Sequence, residues 1–204
     1  MTTIAHLFGH KAQVRTYKQS SVFKSNRAIG VELEYENLAH HPEILAESNL
    51  WEIVEDGSLR MIADYTYSLE LRYSTPLSGT DSERALEELR KYLKRDKNIV
   101  CSNRTGLHVH MDFRDLSCVD LKKFMLVYLI VEPILYRYCG KDRESNIFCL
   151  PLYSTPNIIA GMPLCGFNDN DIYRIIDRNH KYSGLNINSI KGKGSVEFRL
   201  TQQP

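Results

Sequence analysis

Five short segments of the chain alternate between apolar and polar residues, and this alternation restricts the possible folds more than any other feature. The segments are AIGVELEYE, YSLELRYS, TGLHVHMDF, SGLNINSI and SVEFRL. Successive side chains of a β-strand point to opposite faces, so each segment predicts a strand with one apolar and one polar face. Antiparallel sheets commonly pack one face on a core and leave the other in contact with water. The pattern therefore predicts a mainly antiparallel sheet.

Other segments predict helices and turns around that sheet. TDSERALEELRKYLKR predicts a helix in which Thr80 is the N-cap and Glu83 completes a capping box. Ser117 is predicted to cap a longer helix, VDLKKFMLVYLIVEPILYRYC. This helix is apolar nearly all round in its middle, so we expect it to be buried, with a kink or interruption at Pro133. PEILAESN and NDNDIYRIIDRN predict shorter helices, and LWEIVEDGSLRMI predicts a strand, a tight turn and a possible return strand. The predicted fold class is α+β.

Composition limits the domain count and the partners. The 204 residues carry a formal net charge of +1, so no global field favours nucleic acid or an anionic membrane. The five cysteines contain no CxxC pair, and the N-terminus lacks the apolar segment of a signal peptide, which together predict a reduced, cytoplasmic protein. The longest apolar run, FMLVYLIV, is far shorter than the roughly 20 residues of a membrane span. We expect an irregular N-terminal arm over residues 1–26 and a single domain over residues 27–204.

The polar faces of the five predicted strands carry unusually reactive residues. They are Glu32 and Glu34; Glu70 and Arg72; His108 and His110; Asn186 and Asn188; and Glu197 and Arg199. If these faces belong to one sheet, four carboxylates converge, and like charges at such distances raise each other's pKa unless a cation lies among them. Carboxylate oxygens with one or two imidazoles suit Mg²⁺ or Mn²⁺, and more than one ion is plausible.

Arginines complete a set of groups suited to phosphoryl transfer. Arg72 and Arg199 would supply planar guanidinium groups that bind phosphate or carboxylate. The sequence contains no GxxxxGK[ST] loop and no GxGxxG loop. A nucleotide, if one binds, would therefore be held by metal ions and arginines on a sheet.

Seven short motifs occur in order along the chain. They are GVELEYE, W…DGSL, LELRYSTPL, TGLHVHMDF, VEPILYRYCGKDRESNIFCLPL, RNHKYSGLNI and SVEFRL. Each motif is weak alone, and seven in the right order are specific. In this order they resemble the amidoligase family, a branch of the carboxylate–amine ligase superfamily that includes glutamine synthetase and glutamate–cysteine ligase. The resemblance extends from about Arg27 to Leu200.

The resemblance implies a fold, an activity and cofactors. The implied fold is a curved, mainly antiparallel sheet, a glutamine-synthetase-like half-barrel with helices on its convex face, over residues 27–204 as one catalytic domain. The implied activity is phosphorylation of a carboxylate by ATP, followed by displacement of the phosphate by an amine. The implied cofactors are ATP and Mg²⁺ or Mn²⁺, with two ions. The implied substrates are amino acids, peptides or protein side chains.

The resemblance also implies roles for individual residues. The implied metal ligands are Glu32, Glu34, Glu70, His108 and Glu197. Arg199 is similar to the arginine that meets the transferring phosphoryl group, and Arg178 to a second arginine for phosphate or substrate. Asp56, in EDGSL, is a hypothetical base for the attacking amine. The residues expected to face substrate or ATP are Arg72, His110, Asn186 and Arg143.

Alternatives remain open from the sequence. A metal-dependent hydrolase using the HxH pair with carboxylates, or an inactive binding or structural protein on the same scaffold, would show the same residues. Asp56 with Gly57 is also a tight-turn signature, and Arg72 also fits an ion pair with a neighbouring carboxylate. Glu132, inside a predicted buried helix, needs a partner, for which Arg137 and Arg143 are candidates. Cys149 and Cys165 are expected to be buried or loop thiols rather than nucleophiles.

Overall fold

A computed structural model of the chain describes residues 2–11, 27–61, 63–96, 99–155 and 169–202. The described helices are α1 (Ile4–Phe8), α2 (Glu43–Ala46), α3 (Gly79–Leu93), α4 (Cys118–Cys139), α5 (Lys141–Glu144), α6 (Asp169–Arg178) and α7 (Ser189–Lys193), with a 3₁₀ helix at Leu152–Ser154. The described strands are β1 (Ile29–Leu38), β2 (Trp51–Val54), β3 (Tyr67–Tyr73), β4 (Leu107–Asp112), β5 (Leu185–Asn186) and β6 (Ser195–Thr201).

The strands form a six-stranded sheet with the order β2-β3-β1-β4-β6-β5. The pairs β1–β3, β2–β3 and β5–β6 are antiparallel. The α+β class and the antiparallel sheet are therefore confirmed, and the glutamine-synthetase-like curvature stays a prediction. The chain divides into a terminal unit, Met1–Val14 with His110–Thr201, and a central unit, Arg15–Val109 with Gln202–Pro204. The prediction of a single catalytic domain over residues 27–204 stays a prediction.

In the central unit, the alternating segments form the strands that the sequence predicts. Val31, Leu33 and Tyr35 of β1 are buried on one face, as are Leu69 and Leu71 of β3. Helix α3 contributes an apolar stripe to the same hydrophobic cluster, formed by Ala85, Leu86, Leu89, Tyr92 and Leu93. The indole N–H of Trp51 in β2 donates to the carbonyl of Ala85 in α3, 3.1 Å away, and so ties this helix to the strand.

Two local predictions for the central unit are wrong. Helix α3 begins at Gly79 with Ser78 as its N-cap, because Gly79 turns the chain with a φ of 53° before Thr80, and the Thr80 capping box is not formed. The possible return strand after Asp56 and Gly57 is also not formed over the described residues 58–61. Strand β2 pairs with β3 instead, with Trp51 opposite Tyr73.

The terminal unit begins with a helix that the sequence analysis did not predict. Helix α1 is capped by the Thr3 hydroxyl, which accepts from the backbone N–H of His6. Ile4 is fully buried in the hydrophobic cluster of this unit, and its backbone N–H donates to the carbonyl of Leu116. The rest of the predicted arm, residues 12–26, lies outside the described residues.

Helix α4 is only partly as predicted. Ser117 forms the expected cap, in a capping box with Asp120, and the helix continues through Pro133 without interruption. The prediction that it is buried on all sides is wrong, because the terminal unit packs against one side only. The exposed fractions of Ile130 and Ile134 are 76% and 64%. Among the described helices, none combines the length and the apolar character needed to cross a membrane.

The buried Glu132 of α4 has a different partner from either predicted arginine. Its carboxylate accepts from the backbone N–H groups of Leu152 and Tyr153, at 2.7 and 3.2 Å, where the 3₁₀ helix begins. Burial raises the pKa of this carboxyl above its usual range. Arg143 instead donates to the backbone carbonyls of Arg199 and Leu200 in β6. Backbone N–H groups at the start of a helix satisfy the acid, so it needs no arginine.

Candidate functional site

In the central unit, β1 and β3 bring two predicted ligands together as direct cross-strand neighbours. Glu34 lies opposite Glu70, and Glu32 lies opposite Arg72. The alternation of β1 buries Val31 and Leu33 in the core, which places the two glutamates on the opposite face. Opposite residues on one face of an antiparallel pair have Cβ atoms about 5 Å apart. The register of this pair therefore sets the separation of the carboxylates.

A third carboxylate joins Glu34 and Glu70 from the loop after β2. Oxygen atoms from Glu34, Asp56 and Glu70 all lie within 4.8 Å of one another. Oδ1 of Asp56 also accepts a hydrogen bond from the backbone N–H of Ser58 at 2.8 Å, which is a local contact within the turn. Asp56 therefore forms the tight turn and also faces two acidic residues, and its role as a base stays a prediction. Three carboxylates at this distance form an oxygen-donor set of the kind that binds Mg²⁺ or Mn²⁺.

His108 extends this set within the central unit. The ring is buried, with Nδ1 3.7 Å from an oxygen of Glu32 and Nε2 3.9 Å from an oxygen of Glu34. Each ring nitrogen thus faces one carboxylate of β1. The imidazole therefore lies next to both glutamates that the resemblance implies as metal ligands.

The tight packing around His108 identifies a residue that sequence reasoning missed. A Cβ atom built on Gly106 would lie 2.8 Å from Nε2 of His108 and 3.4 Å from an oxygen of Glu34. The carbonyl of Gly106 also accepts from the backbone N–H of Glu34. A glycine lets the backbone approach this closely, and the only signal in the sequence is its place just before the LHVH strand.

Arg72 has the ion-pair role that the sequence analysis left open. Its Nε donates to a carboxylate oxygen of Glu52 at 2.9 Å, and its Nη1 lies 3.9 Å from an oxygen of Glu70. The hydrogen bond and charge of Arg72 lower the pKa of the Glu52 carboxyl. The role of Arg72 in binding substrate or ATP stays a prediction.

In the terminal unit, Glu197 is oriented by two predicted site residues. Asn186 lies opposite Glu197 in the β5–β6 pair, and its side-chain amide donates to Oε2 of Glu197 at 2.6 Å. Arg199 donates from Nη1 to Oε1 of the same carboxylate. Arg199 also donates from Nε to the backbone carbonyl of Phe148, 3.3 Å away. These contacts fix the direction of the guanidinium group on β6.

His110 contacts a serine and a lysine of the terminal unit. Nδ1 of His110 lies 3.1 Å from the Ser195 hydroxyl oxygen, and Nε2 lies 3.4 Å from the Lys193 ammonium. Both ring nitrogens of His110 therefore lie within hydrogen-bond distance of a polar group. The role of His110 beside a substrate stays a prediction.

The site roles of two further predicted arginines, Arg143 and Arg178, stay predictions. The buried Arg143 donates to main-chain carbonyls of β6, which is a structural role, and its substrate role stays untested. Arg178 is the last residue of α6, and its side chain lies outside what the structure describes. Cys149 is a buried thiol whose pKa is raised by burial, as expected for a structural cysteine, and Cys165 lies outside the described residues.

Comparison with known families agrees with the resemblance seen in the motifs. A family profile described as "Putative amidoligase enzyme" matches residues 2–202, which is nearly the whole chain and includes α1. Comparisons with curated proteins and with solved structures gave no match. The profile covers every described strand and each residue of the acidic cluster. The chain therefore belongs to this amidoligase enzyme family.

Proposed function

We propose that the protein is an ATP- and Mg²⁺-dependent carboxylate–amine ligase that forms an amide or isopeptide bond through an acyl phosphate. Membership of the amidoligase family supports ligase chemistry. The single observation that carries the rest is the cluster of Glu34, Asp56 and Glu70, whose oxygen atoms lie within 4.8 Å of one another. Such a cluster is unfavourable without a cation, and a ligase that consumes ATP requires one.

The donor atoms fit Mg²⁺ or Mn²⁺. Glu34, Asp56 and Glu70 supply only carboxylate oxygens, which are hard ligands, and no thiol is among them. Glu32 and His108 are proposed ligands of a second ion, since their ligating atoms lie 3.7 Å apart. A bound divalent ion would neutralise phosphate oxygens of ATP.

The chemical steps follow from the reactivity of carboxylates. An oxygen of the substrate carboxylate attacks the γ-phosphorus of ATP, the bond to the bridging oxygen breaks, and ADP leaves. The amine nitrogen then attacks the carbonyl carbon, the acyl–oxygen bond breaks, and inorganic phosphate leaves as a base takes the proton of the amine. Without phosphorylation the leaving group would be oxide, which is too poor for amide formation.

Three side chains of the protein, those of Arg199, Arg178 and Asp56, are proposed to act in these steps. We assign to Arg199 the stabilisation of charge on the transferring phosphoryl group, since its contacts with Glu197 and Phe148 hold its orientation. Arg178 is proposed as a second phosphate or substrate arginine by resemblance alone. Asp56 is proposed as a metal ligand rather than the base, because it lies among Glu34 and Glu70.

The experiment is titration calorimetry with the full chain and a non-hydrolysable ATP analogue, with and without Mg²⁺. We expect binding that requires Mg²⁺ and that Glu34→Gln weakens about tenfold or more. Glu43→Gln removes an exposed carboxylate of α2 and is the matched control, with wild-type binding expected. Analogue binding that is absent, or that is unaffected by Mg²⁺ and by Glu34→Gln, would refute the proposal.

A screen of amino acids and amines for stimulated phosphate release from ATP tests the reaction itself. Turnover that needs a carboxylate, an amine and ATP together supports the ligase. Metal-dependent turnover without nucleotide would instead support the hydrolase, and binding without any turnover would support an inactive scaffold. Asp56→Asn separates the two roles of that residue: a metal ligand loses Mn²⁺ affinity, whereas a base loses turnover and keeps Mn²⁺ affinity.

A further inference from the structure

A third glutamate of β1 is buried without a place in the proposed chemistry. Glu36 follows Glu32 and Glu34 on the same strand, and only 1% of its surface is exposed. One of its carboxylate oxygens accepts from the backbone N–H of Arg60 at 2.8 Å. Buried carboxylates are costly unless they are satisfied by hydrogen bonds, so a structural use for this group is expected.

The backbone of β1 is distorted at Glu36. The β1–β3 register shifts between Tyr35 and Leu38, and Asn37 adopts a left-handed conformation with a φ of 63°. The backbone carbonyl of Glu36 accepts from Val100 rather than continuing the β3 ladder. Bulges of this kind redirect a side chain and are frequent beside active sites. Here the Glu36 carboxylate, beside the irregularity, reaches the loop between β2 and β3.

Other contacts hold the same loop. The Ser68 hydroxyl donates to the carbonyl of Arg60 at 2.6 Å, and the Arg104 guanidinium donates to the carbonyl of Ser58 at 2.9 Å. Asp56 closes the turn by accepting from the Ser58 N–H. Arg60 is therefore held on both its N–H and its C=O, by residues of β1 and β3.

We propose that Glu36 is a positioning residue that holds the loop of residues 55–61 so that Asp56 meets Glu34 and Glu70. Glu36 acts through the Arg60 N–H and the loop, and its own charge is not required at the metal. The proposal rests on the metal-binding role proposed for the acidic cluster. Contacts that orient metal ligands typically change metal affinity 10- to 100-fold when they are removed.

The test is Mn²⁺ titration of the full chain, followed by the electron paramagnetic resonance signal of free Mn²⁺. Glu36→Ala is expected to weaken the site about tenfold, and Glu36→Gln, which keeps an acceptor oxygen, to stay within about twofold of wild type. Equal losses in both variants would mean that charge matters and would overturn the proposal. Wild-type affinity in Glu36→Ala would overturn it as well.

A double-mutant cycle separates positioning from a general loss of stability. If Glu36 acts only through Asp56, the double variant Glu36→Ala/Asp56→Ala binds Mn²⁺ as weakly as Asp56→Ala alone. Additive losses would overturn the proposal. If Glu36→Ala does not fold, Ser68→Ala removes a smaller contact to the same loop. It is expected to weaken Mn²⁺ several-fold, and an unchanged affinity would count against the proposal.

Hydrogen exchange distinguishes failure of this inference from failure of the proposed metal site. If wild type binds no Mn²⁺, the metal site fails, and protection of the Arg60 amide still reports the loop contact. Faster exchange of that amide in Glu36→Ala than in Glu36→Gln supports the role of Glu36 in holding the loop. Equal exchange rates would overturn it.

Discussion

At the scale of single residues, Gly106 leaves little space beside two candidate metal ligands, His108 and Glu34. The backbone passes so close to His108 and Glu34 that an added methyl group has no room. The two side chains that would bind a cation, His108 and Glu34, are therefore also the two that the Gly106 backbone restricts sterically. A substitution at Gly106 tests whether their separation matters for binding a cation.

Gly106→Ala is expected to lower Mn²⁺ affinity about tenfold, because the new Cβ displaces the His108 ring or the Glu34 carboxylate. The measurement is Mn²⁺ titration beside a thermal unfolding curve that checks the fold. Gly192→Ala is the control, since its Cβ would meet no atom within 4 Å. Equal Mn²⁺ affinity in the two variants would contradict the prediction.

Glu132 predicts a pH dependence of stability. Its pKa is raised in the folded protein, mainly by burial, so the folded state binds its proton more tightly than the unfolded state. The stabilisation is fully present below the ordinary value of 4.5 and is lost as the pH rises through the folded pKa. Relative to Glu132→Gln, which does not titrate, wild type should lose stability over that window.

Thermal unfolding of wild type and Glu132→Gln between about pH 4 and pH 7 measures this difference. The gap in Tm, wild type minus variant, should decrease as the pH rises. Glu43→Gln, at an exposed carboxylate, serves as the comparison and should show no such trend. A gap that stays constant or grows with pH would show that the folded pKa is not raised.

At the scale of elements, α4 shows how a long apolar helix packs on one side only. Leu121, Met125 and Tyr128 are buried in the terminal unit, whereas Ile130 and Ile134 are exposed. Apolar composition all round a helix indicates burial only when a neighbour covers each side. The two sides of this helix should therefore differ sharply in their contribution to stability.

Leu121→Ala is expected to lower the free energy of unfolding by about 2–5 kcal/mol, because it leaves a cavity in the core. Ile130→Ser, on the exposed side, should change it by less than about 0.5 kcal/mol. Urea unfolding of both variants measures the difference. A loss at Ile130 as large as that at Leu121 would mean that this side of α4 is covered in solution.

At the scale of the whole molecule, the terminal unit is built from both ends of the chain. Met1–Val14 joins His110–Thr201, and Ile4 of α1 is completely buried among residues that follow it by more than a hundred positions. The hydroxyl of Tyr173 in α6 donates to the carbonyl of Leu7 at 3.0 Å. The N-terminal residues are therefore part of the fold of this unit.

Ile4→Ala should destabilise the protein by about 2–5 kcal/mol, as for other buried large-to-small changes. His6→Ala changes an exposed residue of the same helix and should cost no more than about 0.5 kcal/mol. Chemical denaturation of the two variants provides the comparison. Similar small losses in both would contradict the packing of α1 in the core.

Much of the candidate site was predictable because its residues lie on strands with a period of two. Glu32, Glu34, Glu70 and His108 were identified from alternation and motif order, and the structure brings these four together in the central unit. Gly106 was not predicted, and Asp56 was predicted as a base rather than as the third member of the acidic cluster. A close backbone approach and the placement of a loop leave no periodic signal in the sequence.

The sequence by itself determined β1, β2, β3, β4 and β6, helices α2, α3, α4 and α6, and the Ser117 cap, because alternation and capping depend on residues a few positions apart. The strand predicted over SGLNINSI is mostly wrong, since only Leu185–Asn186 is a strand and Asn188 caps helix α7. Only the tertiary structure decided which groups satisfy buried charges. Glu132 is satisfied by backbone N–H groups rather than by an arginine, and Glu36 by the N–H of Arg60. Tertiary packing also decided that one side of α4 is exposed. These contacts join residues roughly twenty or more positions apart, whose approach depends on how the whole chain packs.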